Sequence, residues 1–261
     1  TGTTRCSTSS VPRWSITPKG MADTDTVEIG EYTINNQMED ILEGIYKAKP
    51  DVLMFSCYIW NIAFVEELAE EFHKLRPEVP IWVGGPEVSY ETESFLREHP
   101  QITGVMIGEG EKTFCELAEY YAGKSRSDIE TEEKQRTQET EGTGESKSTE
   151  EKSKLGEITG IAYRNGNEII FTAPREMLDL SKIPFCYDKA GDFRNRIIYY
   201  ESSRGCPFSC SYCLSSVEKQ LRFRDTELAK KELQFFIDRE VPQVKFVDRT
   251  FNCNHAHAME I

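Results

Sequence analysis

Residues 52–85 read VLMFSCYIWNIAFVEELAEEFHKLRPEVPIWVGG, and the hydrophobic period changes twice within them. Val52–Ser56 is an apolar run of strand length, the pattern of a strand buried on both faces. Val65, Leu68, Ala69 and Phe72 then recur at helical spacing on one face. Residues 80–83 return to a short apolar run that stops at Gly84-Gly85. Strand, amphipathic helix, strand predicts a parallel βαβ unit, because two parallel strands need a crossover between them.

The same alternation extends over residues 27–122. Asn36 and Glu39 resemble a capping pair, and Met38, Ile41, Leu42 and Ile45 repeat at i, i+3, i+4, i+7 behind them. A third helix is predicted over residues 89–98, a strand over residues 104–107, and a further helix through Phe114, Leu117, Ala118 and Tyr121. The pattern predicts an α/β fold with a doubly wound parallel sheet over residues 27–124. Residues 1–26 do not read as the first strand and helix of such a domain and are expected to be atypical or unstructured.

Residues 125–154 differ in kind: nine are acidic, six are basic, and Ile129 is the only large apolar side chain. So little burial cannot offset the entropy of ordering, which predicts a disordered insertion or linker. Within residues 155–195, two β-prone runs flank Asn165-Gly166-Asn167, the signal of a hairpin followed by a connector. Residues 196–261 open on a strand over residues 197–201 that runs into a cluster of cysteines. A helix starting near Asp225, with Ala229, Leu233, Phe236 and Ile237 on one face, and a strand over residues 244–247 complete a second βαβ unit.

Composition narrows the function. A net charge of -14 and a pI near 4.9 repel nucleic-acid phosphates and anionic lipid, so neither is an expected partner. No run approaches the ~18 apolar residues of a membrane span, and the first 26 residues lack the apolar core of a secretory signal, which together place the chain in the cytoplasm. Among eight cysteines, Cys206, Cys210 and Cys213 lie within eight residues while the others are scattered. Clustered thiols in a reducing compartment point to metal. Cys57, ending an apolar run, and Cys115, in a helical pattern, read as inert small hydrophobes.

In Cys206-Pro-Phe-Ser-Cys210-Ser-Tyr-Cys213 three thiolates can each bind one iron of a cubane, leaving the fourth iron open to a substrate that chelates it. A structural zinc site would need a fourth ligand. His255 and His257, about 40 residues on, are the only later histidines and read as solvated. His73 and His99 read likewise.

The loop resembles the CxxxCxΦC motif of the radical S-adenosylmethionine superfamily, with Tyr212 as the aromatic and Ser202-Ser203-Arg204-Gly205 as a lead-in found in many members. The resemblance implies that Cys206, Cys210 and Cys213 hold a [4Fe-4S] cluster and that S-adenosylmethionine is cleaved reductively at its open iron. It also implies the start of a partial (β/α)6 barrel, with Tyr212 and Asp248 beside S-adenosylmethionine. A turn or capping role for Asp248 stays open. An electron donor such as flavodoxin or ferredoxin and a small-molecule substrate are implied as partners.

The preceding half resembles the cobalamin-binding domain of one branch of that superfamily, through Ser56-Cys-Tyr58, Gly84-Gly85-Pro86-Glu87 and Gly108-Glu-Gly110-Glu111. Small residues at the carboxyl ends of parallel strands let a large ligand approach the backbone, which makes Ser56, Gly84, Gly85, Pro86, Gly108 and Gly110 the cobalamin candidates. A tight turn after a strand also needs glycine with no ligand present. The Asp-x-His-x-x-Gly motif that supplies a cobalt ligand in many B12 proteins is absent. The barrel of the family needs roughly six βα units, so the chain reads as a fragment of a longer enzyme that performs methyl transfer or rearrangement at an unactivated carbon. No catalytic residue is assigned. The competing reading is a non-catalytic iron-sulfur electron carrier or ligand-binding fragment.

Overall fold

The computed structural model describes residues 3–7, 26–30, 32, 35–137, 154–189, 197–216 and 219–261. Two compact units emerge, one taking in the described residues through Glu176 and the other running from Met177 to Ile261.

The first unit is a seven-stranded sheet with helices on both faces. Its strands are β1 (Thr3–Ser7), β2 (Thr26–Gly30), β3 (Val52–Ser56), β4 (Ile81–Gly84), β5 (Gly104–Met106), β6 (Ile161–Asn165) and β7 (Glu168–Phe171), in spatial order β2-β1-β3-β4-β5-β6-β7. The first five are mutually parallel and the last two antiparallel. The order 2-1-3-4-5 reverses direction at β1, and open α/β sheets bind ligands at the carboxyl edge beside such a switch.

The strand pattern explains the two layers. Leu53 and Phe55 of β3, with Ile81, Val83, Val105 and Ala162, pack against α1 (Met38–Ala48), α2 (Ile62–Leu75) and α3 (Thr92–Glu98). The alternate residues Val52, Met54, Trp82, Met106, Ile161 and Tyr163 face Leu117 of α4 (Gly110–Thr137). Burial on both faces is why these strands read as continuous apolar runs. Trp82 keeps its polar end satisfied by donating from Nε1 to the Tyr121 hydroxyl at 2.7 Å. Burial pushes the Tyr121 phenol well above its ordinary range, so it stays protonated.

Three sequence expectations need correction here. Residues 1–26 are not devoid of regular structure: Thr3–Ser7 lies between β2 and β3, bonded to both. That strand has Cys6 as its only apolar residue, and its place comes from two neighbouring backbones instead of from an apolar run. The charged segment begins as helix, since α4 runs through Thr137. Glu, Lys, Gln and Arg are good helix formers, and extending a formed helix is much easier than nucleating one; residues 138–153 lie outside the described residues. The expected hairpin is present, with Gly166 (φ 62) at its turn, but it is not separate from the first domain, because β6 pairs with β5 and extends the main sheet. At smaller scale, the residue that caps α1 is Gln37, with no side-chain cap of its own, and the third helix starts at Thr92.

The second unit contains the expected βαβ unit. Strand β8 (Ile197–Tyr200) leads through β9 (Ser203–Arg204), the cysteine loop and β10 (Arg222–Phe223) to α5 (Thr226–Asp238), and β11 (Gln243–Phe246) returns parallel to β8. Asp225 caps α5 by accepting from the Leu228 N–H at 2.9 Å. The short α6 (His255–Glu260) follows. Tyr187, Ile198, Tyr200, Ala229 and Phe236 form the core. Beside it Glu232, 4 % exposed, accepts from Arg224 Nε and the Tyr200 hydroxyl, both at 2.7 Å, while Arg224 also donates to the carbonyls of Leu180 and Ile183. Among the described residues, no helix is long and apolar enough to cross a membrane.

Candidate functional site

The carboxyl edge of the first sheet is built by register. Ser56 lies opposite Gly84, and Gly84 opposite Met106, so β3, β4 and β5 end level. The loop after β3 is closed by Asn61, whose side chain accepts from the Tyr58 N–H at 2.7 Å and donates to the Ser56 carbonyl at 2.8 Å. Ser89 ties the next two loops: its hydroxyl donates to the Gly85 carbonyl at 2.8 Å and accepts from the Gly108 N–H at 3.5 Å. On these loops stand exposed Ile59, Trp60 and Tyr90, with Tyr58 stacked on Trp60 at 4.7 Å.

The candidate glycines divide into two kinds. At Gly85, φ is 111 and a Cβ would lie 2.4 Å from the Cys57 carbonyl oxygen; at Gly84 it would lie 3.3 Å from the Met106 side chain. The chain itself therefore requires glycine at 85 and a small residue at 84, whatever binds above. At Gly108 and Gly110 a Cβ would meet nothing within 4 Å. Open backbone at Gly108 and Gly110, on the same sheet edge as the loops that carry exposed Ile59, Trp60 and Tyr90, leaves the room a large flat ligand such as a corrin would need. Ser56 is half-buried at the strand end, and Pro86 lies in the loop after β4. The sequence does not single out Ile59, Trp60 and Tyr90 as site residues; their signal is large apolar side chains just past strand ends.

In the second unit the lead-in is tightly held and the loop is open. Ser202 and Ser203 are 0 % and 1 % exposed. Asp248 reaches them from 46 positions away: Oδ1 accepts from the Ser202 N–H at 2.7 Å, and Oδ2 accepts from the hydroxyls of Ser202 and of Ser203, the latter at 3.0 Å. Gly205, at φ 95, presses against the Gln220 carbonyl, where a Cβ would sit 2.3 Å from its oxygen. Cys206 is buried, Cys213 half-buried and Cys210 exposed, and Tyr212 is 91 % exposed. The Cys213 N–H donates to the Cys210 carbonyl at 3.2 Å, a turn that brings the last two cysteines onto one bend.

Among the described residues, no three His, Cys, Asp or Glu side chains are gathered at metal-binding spacing. The chemistry of the cysteine triad still fits a cluster: three soft donors lie within eight residues, on a segment with neither helix nor strand between its first and last cysteine. The expectation that His257 is solvated is corrected. It is 8 % exposed, with its ring 4.4 Å from that of Phe223, because the face of α6 that carries it turns inward. His99 is partly covered too, against Phe95 and Glu66. Cys57 is buried and Cys115 half-buried; burial first, then neighbouring Glu119, pushes the Cys115 thiol up to about 11, in keeping with inert cysteines.

Comparison with known proteins agrees with both units. Residues 17–118 match the B12 binding domain family. Over 227 residues the chain is 26 % identical to the 2-(S-pantetheinyl)-carbapenam-3-carboxylate methyltransferase of Streptantibioticus cattleyicolor, covering 82 % of this chain and 29 % of that protein. Identity and coverage are the same for TokK of Streptomyces tokunonensis, a cobalamin-dependent radical SAM methyltransferase. The chain thus spans less than a third of the length of these relatives. In fold it superposes on OxsB, a cobalamin-dependent S-adenosylmethionine radical enzyme solved with aqua-cobalamin and S-adenosylmethionine, with a TM-score of 0.66 at 17 % identity, over 99 % of this chain and 36 % of that one. Residues 17–118 thus match a B12 binding domain, and the chain as a whole is similar to cobalamin-dependent radical S-adenosylmethionine methyltransferases.

Proposed function

We propose that this chain carries the cobalamin-binding and cluster-binding parts of an enzyme that transfers a methyl group to an unactivated carbon of a small molecule. One observation carries the reading: the triad Cys206, Cys210 and Cys213 follows the first strand of a parallel βαβ unit, on a chain whose preceding domain presents an open carboxyl edge of the B12-binding type. With a [4Fe-4S] cluster held by the triad and cobalamin on the first sheet, the cluster would supply single-electron chemistry toward S-adenosylmethionine and the cobalamin a carrier for a methyl group.

The residues divide the remaining work. The thiolates of Cys206, Cys210 and Cys213 would hold the cluster. Tyr212, exposed beside the last cysteine, is available to cover the S-adenosylmethionine. Asp248 has used three of the roughly four acceptor positions of a carboxylate, so at most one is left for a cosubstrate amine. Gly108 and Gly110 admit the corrin, and Ile59, Trp60 and Tyr90 give it apolar cover. A flavodoxin- or ferredoxin-type donor provides the electron, and the reaction belongs in the cytoplasm.

Anaerobic reconstitution tests the proposal. Iron and sulfide are measured per chain, the spectrum is followed on adding S-adenosylmethionine, and hydroxocobalamin retention is measured after desalting. Ala at Cys206, Cys210 or Cys213 is expected to abolish iron uptake, and Ala at Cys57 or Cys186 to leave it unchanged. Zinc in the triad, or equal loss at Cys57 and Cys186, refutes the ligand assignment. A cluster that ignores S-adenosylmethionine favours the electron-carrier reading.

A further inference from the structure

We infer that Asp248 is the positioning residue of the cluster loop, acting through Ser202 and Ser203 to fix where Cys206 enters the site. The inference rests on the cluster reading proposed above for the cysteine triad.

Two buried hydroxyls and a buried backbone N–H lie immediately before the loop, and each needs a partner once water is excluded. One carboxylate meets all three. These are charge-assisted bonds, stronger than bonds between neutral groups. The opposite side of the same segment is held by backbone. The Arg224 N–H donates to the Ser202 carbonyl at 2.8 Å, and Ser203 and Arg204 pair with Phe223 and Arg222. Beyond them Gly205 is wedged against Gln220, so little slack remains before Cys206.

Asp248 is itself well placed to act as an anchor. Its strand is locked to β8 by the register Phe246 to Tyr200, and the Val247 N–H donates to the Tyr200 carbonyl at 2.9 Å. The end of β11 is therefore fixed against the end of β8, and the carboxylate carries that position across to the lead-in. Loss of the carboxylate leaves both hydroxyls and the N–H unpaired on that side, and the segment that delivers the first thiolate loses its lateral restraint.

The test compares anaerobically reconstituted wild type with Asp248→Ala, Asp248→Asn, the pair Ser202→Ala with Ser203→Ala, and the triple variant. Each is checked for fold by circular dichroism. The readouts are iron per chain, the rate of cluster loss to a chelator, and the paramagnetic resonance signal of the reduced cluster with and without S-adenosylmethionine. Asp248→Ala and the serine pair are each expected to lose the cluster about tenfold faster, the scale of one charge-assisted hydrogen bond. Combining them should cost no more than Asp248→Ala alone, because the serine hydroxyls act through that carboxylate. Asp248→Asn should fall between wild type and Asp248→Ala, since its oxygen still accepts from the Ser202 N–H and its amide can donate to the hydroxyls, but without the carboxylate's charge.

The inference is overturned if Asp248→Ala keeps wild-type iron and chelator resistance and loses only the response to S-adenosylmethionine, which would make Asp248 a direct cosubstrate contact. A harmless serine pair overturns it equally. Wild type that takes up no iron brings down the cluster reading together with this one, whereas iron-loaded wild type with a harmless Asp248→Ala brings down this one alone.

Discussion

Replacing Gly85 by Ala should damage the first domain in a way that has nothing to do with a ligand. At φ 111 an L side chain is strained, and the new Cβ would lie 2.4 Å from the Cys57 carbonyl oxygen and 3.0 Å from the Cys57 nitrogen. The Cys57 N–H already donates to the Gly84 carbonyl at 2.6 Å, so relief requires moving backbone that continues the β3 to β4 ladder. Backbone strain of about 1–2 kcal/mol and overpacking of a similar size sum to about 3 kcal/mol. For a domain of this size that lowers the melting temperature by roughly 6–12 °C. Gly110→Leu is the matched control: its Cβ meets open space, φ is not in the left-handed region, and the position opens α4, so stability should change by less than about 0.5 kcal/mol. If a corrin lies on this edge, Gly110→Leu should retain less hydroxocobalamin through desalting while melting as wild type does. Thermal melts followed by circular dichroism separate the two effects, and a Gly85→Ala variant that melts with wild type refutes the steric argument.

Two further outcomes follow from the buried chemistry. Glu232→Ala leaves Arg224 charged and buried and should destabilise the second unit by about 3–5 kcal/mol, whereas Arg224→Met with Glu232→Leu should recover most of that loss; denaturant melts that rank the double variant below the single one refute this. Cys115, with its thiol held up to about 11 chiefly by burial, should be the slowest of Cys115, Cys210 and Cys213 to alkylate at pH 8, read by peptide mass spectrometry. The sign for stability follows: the unfolded thiol ionises near 9 and the folded one near 11, so this group's contribution is present below pH 9 and lost as pH rises to 11.

What the sequence makes legible is whatever is encoded within one element or one turn. The strand and helix periods of residues 52–85 and the Asn165-Gly166 turn are local, and each stands in the structure where those residues put it. The strand Thr3–Ser7 is not local information, because its stability comes from the backbones of β2 and β3 on either side. Asp248 sits at a legible position, but its partners are 45 and 46 residues away, and nothing in a strand-end aspartate says which donors will reach it.

The glycines show a subtler limit. Gly84, Gly85, Gly108 and Gly110 look alike in sequence, as small residues after parallel strands, and a single explanation by ligand approach covers all of them. The structure splits that explanation, because Gly85 is fixed by its own backbone angle and by Cys57, Gly84 is hemmed by Met106, and only Gly108 and Gly110 have free space above them. Of those two, Gly108 carries a positive φ of 78, so Gly110 is the position where a substitution is felt by a ligand and hardly at all by the fold. A double substitution at Gly84 and Gly85 would abolish corrin retention by unfolding the sheet edge, and would therefore say nothing about binding. Gly110 is where the cobalamin reading can fail on its own terms: if Gly110→Leu folds and still retains cobalamin as wild type does, the corrin does not lie against the loop that follows β5.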